Sequence, residues 1–241
     1  GQFLPDLQAH SPAMGQKDGE KWTAAVDLQP TLSKSDRLLE CGMHSEFTLE
    51  LASAAARLIV EEGMEYGPAK KRAAKVLGRA TVRNAELPDN NLVEDEVRAY
   101  LDLFCAETQP AELAALREVA ALWMERLQEF RPHLTGAVWR GTATRLNSVH
   151  LQLFCDDSKE AEITLLNQRI DFDVGSINGP RGQLVDVLTV ASPSAALGEP
   201  VTVHLSILAF DDLRGALKPD AKGRSERGDL AGLRRLMKEA A

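Results

Sequence analysis

The pattern of apolar and polar residues divides the chain into an irregular start, a helical stretch and a sheet-forming end. Residues 1–45 contain several prolines and glycines and no sustained period of either 3.6 or 2 residues. Such a segment alone buries too little apolar area to offset the entropy lost when it becomes ordered. We therefore interpret residues 1–45 as an irregular N-terminal extension.

Residues 46–130 have the spacing of amphipathic helices. Apolar side chains recur at helical intervals in successive stretches, with Gly63 as a stop after the first and Pro68 in the first turn of the second. Asn91 and Glu94 have the spacing of a capping box at the start of the third stretch. The sequence predicts four amphipathic helices in succession, which form a helical layer or small bundle over residues 46–130.

Alternating patterns replace the helical ones after residue 131. The sequence predicts strands near 135–141, 148–155, 170–175, 184–191 and 200–209. A helix is expected over 158–167, which either Asp157 or Ser158 could cap, and a last helix near 229–240. We expect an α+β fold, in which the N-terminal helical layer is followed by a mixed β-sheet of about five strands with flanking helices. Residues 131–241 would form this sheet region.

Composition excludes some classes of function. The chain has 241 residues and a formal net charge of -8, which argues against a general binder of nucleic acid or anionic membranes. No apolar run approaches the ~18 residues expected of a membrane span. The three cysteines, Cys41, Cys105 and Cys155, have no metal-binding spacing. We expect reduced thiols in a soluble protein of a reducing compartment, the mitochondrial matrix or the cytoplasm.

The segment 136–154 carries the most specific signal. It contains a Gly141-Thr142 turn, then an alternating stretch that begins at Ser148 and His150. This outline resembles the active-site hairpin of the nucleotidyltransferase superfamily that includes DNA polymerase β and the aminoglycoside nucleotidyltransferases. In those enzymes the first strand ends in Gly-Ser or Gly-Gly, and the second begins with an Asp-x-Asp that holds two divalent cations.

The resemblance implies a degenerate site at Gly141, Thr142, Ser148 and His150. A hydroxyl and an imidazole, at Ser148 and His150, cannot replace two carboxylates as ligands of Mg²⁺. His204 stands on a later strand, where an acidic residue would be useful. We therefore expect no catalytic residues, no bound metal and no cofactor.

His150 and His204 could face the same side of the sheet. Two imidazoles can bind zinc or act as acid and base. A zinc site needs three or four ligands, and Cys155 lies five residues from His150, which places it on the opposite face of a strand. The sequence does not favour zinc.

Four aspartates offer an alternative set of metal ligands: Asp156, Asp157, Asp171 and Asp173. Helix capping explains the first two more simply, and a solvated sheet edge explains the second two. If they converged, the chain would be an active metal-dependent nucleotidyltransferase, or a regulator that binds nucleotide without turnover.

The leading hypothesis is a non-catalytic structural or accessory subunit of a larger assembly, for example an organellar one, built on a decayed nucleotidyltransferase fold. Residues 1–45 would be the tether to protein subunits, through the apolar anchors Phe3, Leu4, Trp22 and Leu28. The basic helix over residues 68–79 would be a second surface, for RNA or an acidic protein, through Lys71, Lys75 and Arg79. A solvated helix face with local ion pairs is the alternative interpretation of this basic set.

Overall fold

A computed structural model describes residues 45–79, 87–179, 182–214 and 225–239. All of these residues belong to one compact unit, His44–Ala241. The proposed anchors Phe3, Leu4, Trp22 and Leu28 lie outside the described residues. Their contact with a partner therefore stays a prediction.

The predicted helical layer begins with three helices, α1 (Glu46–Glu62), α2 (Tyr66–Val76) and α3 (Asn90–Phe104). Their inward faces form one apolar cluster, which includes Leu51, Ile59 and Val97. The predicted capping box at Asn91 is wrong. Helix α3 is capped two residues earlier, because the Asp89 Oδ1 accepts a hydrogen bond from the Leu92 amide at 2.7 Å.

A fourth helix, α4 (Gln109–Arg126), packs against the sheet and not with α1–α3. Its side chains Leu116 and Trp123 are almost fully buried in the same cluster as Leu151 of the sheet. A short 3-10 turn, Gln128–Phe130, then leads into the first strand. The predicted helical stretch thus contributes to two separate apolar cores.

A six-stranded mixed sheet forms the second half of the fold, which confirms the α+β class. The strands are β1 (His133–Thr135), β2 (Val149–Phe154), β3 (Asp173–Asn178), β4 (Leu184–Ser194), β5 (Glu199–Leu208) and β6 (Arg227–Gly228). Their order across the sheet is β3-β4-β5-β2-β1-β6. Strands β2 and β5 are parallel, and the other neighbouring pairs are antiparallel.

The central strands have two unlike faces, as the alternation predicts. On β2 the side chains of Val149, Leu151 and Leu153 are fully buried in the core that contains α4. The residues between them, His150 and Gln152, are only partly buried and lie on the opposite face. We call this second, more polar side the front face of the sheet.

The predicted strand near 135–141 is wrong for most of its length. Strand β1 ends at Thr135, and residues Gly136–Arg140 form a short helix, α5. Gly136 enters the helix with φ +74°, and Gly141 ends it with φ +84°. A residue without a Cβ adopts this left-handed backbone at little cost, so the two glycines allow a helical turn where apolar residues alone suggested a strand.

The remaining helices flank the sheet. Helix α6 (Ser158–Asn167) is capped as predicted, because the Asp157 Oδ1 accepts a hydrogen bond from the Lys159 amide at 2.9 Å. A 3-10 turn (Phe210–Leu213) follows β5, and α7 (Leu230–Glu239) packs against α4. Within the described ranges, no helix combines the length and apolar character that crossing a membrane requires.

Candidate functional site

A cleft of about 690 Å³ lies between the helical layer and the front face of the sheet. Its volume is that of a typical small-molecule site. The helical layer contributes Glu65 and Tyr66 to the wall, and the sheet contributes His150, Gln152 and Ser206. Both halves of the fold are therefore needed to form the cleft.

A row of polar residues crosses the front face, one from each strand. Residues opposite one another on neighbouring strands project to the same face. The strand registers align Arg227, Thr135, His150, His204, Thr189 and Asp173, in that order from β6 to β3. The row is polar at every position, although the sheet is apolar on its other face.

The centre of this row is a pair of stacked imidazoles. The ring centroids of His150 and His204 are 5.0 Å apart, and the ring planes differ by 29°. The Thr189 Oγ1 lies 3.0 Å from the His204 Nδ1, and the Glu65 Oε1 lies 3.3 Å from the His150 Nε2. Each ring therefore has one nitrogen held by a neighbour and the other without a described hydrogen-bond partner.

The two histidines have different electrostatic surroundings. Burial lowers the pKa of His204 below its ordinary value, and the charge of His150 lowers it further, while Glu65 opposes the shift. The pKa of Glu65 is also lowered, chiefly because His150 hydrogen-bonds its carboxylate. His204 is thus favoured as the neutral ring, and His150 lies against a charged carboxylate.

Arg227 supplies a positive charge at the end of the row. Its Nη1 donates a hydrogen bond to the Gln152 Oε1 at 2.6 Å, and its Nε is shielded from solvent without a hydrogen-bond acceptor. Within the described ranges, no carboxylate forms an ion pair with Arg227. A buried guanidinium nitrogen with no acceptor is a ready donor to an anionic ligand.

Trp139 of α5 positions this arginine. The Trp139 Nε1 donates a hydrogen bond to the Ser225 carbonyl oxygen at 2.7 Å, just before β6. The indole ring also lies directly over Gly228, where a Cβ would overlap it. Helix α5 therefore anchors the two-residue strand that carries Arg227.

Glu94 closes the cleft wall on the side of the helical layer. It is 6% exposed, and its carboxylate lies 2.8 Å from the Arg98 Nη2 and 2.7 Å from the Arg140 Nε. Arg98 also donates a hydrogen bond to the Arg140 carbonyl oxygen at 2.8 Å. These two arginines share one carboxylate, whereas Arg227 has none among the described residues.

The structure separates the four positions that the resemblance singled out. Gly141 and Thr142 follow α5, away from the end of β1, and the Gln109 side chain donates a hydrogen bond to the Gly141 carbonyl oxygen at 3.1 Å. The glycine that follows β1 is Gly136, whose missing Cβ would lie 3.7 Å from the His150 Cδ2. Ser148 directly precedes β2, and His150 lies on it.

The alternative metal ligands are dispersed. Asp157 caps α6, Asp156 and Asp171 are exposed, and Asp173 begins the exposed edge strand β3. No three histidine, cysteine, aspartate or glutamate side chains are placed to hold a metal ion in the part of the chain that the structure describes. Cys155 is a free, buried thiol, and burial raises its pKa to about 11.

The basic residues of α2 and the loop after it have mixed roles. Lys71 and Lys75 are exposed, whereas the Arg79 guanidinium lies 4.0 Å from the centre of the Phe47 ring. Lys70 is tied to the following loop, because its Nζ donates a hydrogen bond to the Pro88 carbonyl oxygen at 3.0 Å. Arg72 forms an ion pair with Glu62. Lys71, Lys75 and Arg79 are all exposed, and their contact with RNA or an acidic protein stays a prediction.

Sequence reasoning missed Glu65, which lines the cleft, and Thr189, which contacts His204. Neither of them belongs to a recognisable motif. A signal did exist for the histidines, because the same tripeptide, Val-His-Leu, occurs at 149–151 and again at 203–205. These two tripeptides lie side by side on the parallel strands β2 and β5.

No family model matches the chain, and no curated protein matches it. Among solved structures it is similar to the Cid1 poly(U) polymerase bound to MgGTP, with a TM-score of 0.29 and 13% identity. The similarity covers 42% of this chain and 32% of that one, so it spans about a third of the polymerase. A similarity at this level carries no argument about function.

Proposed function

We propose that this protein is an accessory subunit with a nucleotidyltransferase-like fold and no nucleotidyltransferase activity. The observation that carries the proposal is the stacked pair of His150 and His204 on the front face. The resemblance expects carboxylates at Ser148 and His150, and an acidic residue would also be useful at position 204. Two-metal transfer requires acidic oxygens that hold two ions ~4 Å apart, which imidazoles do not supply to Mg²⁺.

The order of elements also supports the resemblance. Apart from the short helix α5 between the first two strands, a helix, a strand, a glycine-containing connection, a second strand, a helix and further strands follow one another from α4 to β5. This is the order that the resemblance to nucleotidyltransferases implies. We therefore propose that the chain has the fold of the superfamily without its metal-dependent chemistry.

The test is calorimetric titration of the full chain with Mg²⁺-ATP and Mn²⁺-GTP, together with an assay for nucleotidyl transfer. We expect no metal-dependent transfer product from the wild-type chain. The triple variant Ser148→Asp, His150→Asp, His204→Asp should bind Mn²⁺ more tightly than wild type, because it restores hard oxygen ligands. Transfer by the wild-type chain would overturn the proposal.

We further propose that residues 1–45 tether the protein to its assembly. The supporting observation is the set of apolar residues in an otherwise polar and irregular segment. Deletion of residues 1–40 should leave the described core folded, while the chain moves from a large complex to the size of a monomer in native extracts. If the truncated chain still migrates with the complex, the tether lies elsewhere.

A further inference from the structure

We propose that His150 and His204 form an acid–base pair that hydrolyses a small phosphodiester without a metal ion. The inference goes beyond the proposed function, which concerns nucleotidyl transfer alone. It rests on the stacked rings, on their fixed nitrogens and on the unpaired arginine in the same cleft.

The geometry separates the roles of the two rings. The proposal assigns His204 the tautomer whose Nδ1 donates to the Thr189 Oγ1, 3.0 Å away, so that the Nε2 of that ring is the proton acceptor. The His150 Nε2 lies 3.3 Å from the Glu65 Oε1, so the carboxylate holds this nitrogen and the Nδ1 is the one assigned to donate a proton to the substrate. Different surroundings for two titratable groups are typical of catalytic acid–base pairs.

The lowered pKa of His204 agrees with this assignment, because a base must be unprotonated at neutral pH. The charged groups around the pair come from separate elements. Glu65 precedes α2, Arg140 ends α5, and Arg227 lies on β6. Of these groups, Glu65 contacts the ring assigned as the acid.

The substrate class follows from the charge and size of the cleft. Arg227 offers a positive charge with no acidic partner among the described residues, whereas Arg98 and Arg140 are held against the shared carboxylate of Glu94. A phosphodiester carries one negative charge and so matches Arg227, and a dianionic monoester would be repelled by Glu65. The volume of about 690 Å³ accommodates a small molecule, and the net charge of -8 disfavours a long polyanion.

A second row on the front face supplies further donors. Gln152 and Ser206 are register partners two residues beyond the histidines, and both line the cleft. The Ser206 hydroxyl and the Gln152 amide can hydrogen-bond the non-bridging oxygens of a phosphate. Arg227 already contacts Gln152, so the three groups surround one position next to the rings.

The proposed step balances with water as the co-reactant. The His204 Nε2 takes a proton from water while the water oxygen bonds to phosphorus. The His150 Nδ1 gives its proton to the alcohol oxygen as the phosphorus–oxygen bond breaks. The products are an alcohol and a phosphomonoester, and proton exchange with solvent returns both rings to their starting states.

The experiment measures hydrolysis of 2′,3′-cyclic AMP and of bis(p-nitrophenyl) phosphate by the full chain in excess EDTA. We expect turnover with a bell-shaped pH dependence. His150→Gln and His204→Gln should each reduce kcat by about 100-fold or more, and the double variant should be little worse than the poorer single one. Thr202→Val, on the exposed face of β5, is the matched control and should keep the wild-type rate.

Two further variants test the roles of the histidines without replacing either ring, in case the histidine variants fail to fold. Glu65→Gln changes a residue that precedes a helix and lies outside both cores, and it should reduce kcat by about 10-fold. Thr189→Val should shift the limb of the pH–rate profile that reports the ionisation of the base, because Thr189 positions His204. An inactive wild-type chain, or equal rates in wild type and both histidine variants, would overturn the inference. The nucleotidyl-transfer assay is independent of these outcomes.

Discussion

The helical layer α1–α3 and the sheet with α4 are each stabilised by an apolar core, whereas the contacts that join the two regions include polar ones. Each has its own cluster of buried apolar residues, one centred on Leu51 and the other on Leu151. The contacts between the two regions include ion pairs and hydrogen bonds, at Glu94 with Arg140 and at Glu65 with His150. The cleft lies at this polar boundary.

The comparison teaches where function can reside in such a fold. Apolar cores are closely packed and tolerate few changes. A boundary made of charged groups excludes less of the solvent and leaves polar groups accessible to a ligand. His150, Arg227 and Glu65 line the cleft at this boundary, and His204 stacks on His150 from the neighbouring strand.

The largest expected effect comes from breaking one core alone. Leu151→Ala removes a fully buried side chain of β2 and should lower the free energy of unfolding by about 3 kcal/mol, because a cavity remains. Urea unfolding followed by circular dichroism measures this change. Leu166→Ala, at a position 62% exposed on α6, is the control and should change stability by less than about 0.5 kcal/mol.

The next effect comes from breaking the boundary. Glu94→Gln should lower the free energy of unfolding by about 2 kcal/mol, because it leaves two arginines beside a neutral amide in a largely buried place. Hydrogen exchange should increase in α3 more than in β2. Equal increases in both elements would show that the boundary and the cores unfold together. Glu61→Gln, in an exposed pair with Arg57, should have a much smaller effect.

Helix caps allow the two regions to be compared with the same chemistry. Asp89→Ala in the helical layer and Asp157→Ala next to the sheet should each lower stability by about 1 kcal/mol, because each removes one acceptor from a helix amide. Thermal unfolding monitored at 222 nm measures both. A clearly larger loss for Asp89→Ala would indicate that the helical layer depends more on local interactions than the sheet does.

The smallest effect is a dependence of stability on pH. The pKa of His204 is lowered in the folded protein, so the unfolded chain binds more protons as the pH falls below the ordinary value of about 6.5. Stability should therefore decrease between pH 7 and the lowered pKa. The Tm of His204→Gln should fall less over this window than that of wild type. The contribution of Glu65 is lost only at more acidic pH, because its pKa is lowered as well.

Much of the architecture was accessible from the sequence. Helical spacing predicted four amphipathic helices, and alternation predicted which residues of β2 face the core. The cap at Asp157 and the absence of a long apolar helix among the described residues also followed from local patterns. These features depend on neighbours within a few residues, where periodicity and side-chain chemistry are sufficient.

Only the tertiary structure decided the composition of the site. Strands β2 and β5 are separated in the chain by residues 155–198. In the sheet the two strands are neighbours, and His150 of β2 stacks on His204 of β5. The two-residue strand that carries Arg227 and the helical turn after Thr135 were also missed. Strand neighbours and short elements are selected by the packing of the whole core, and a local pattern contains no information about that packing.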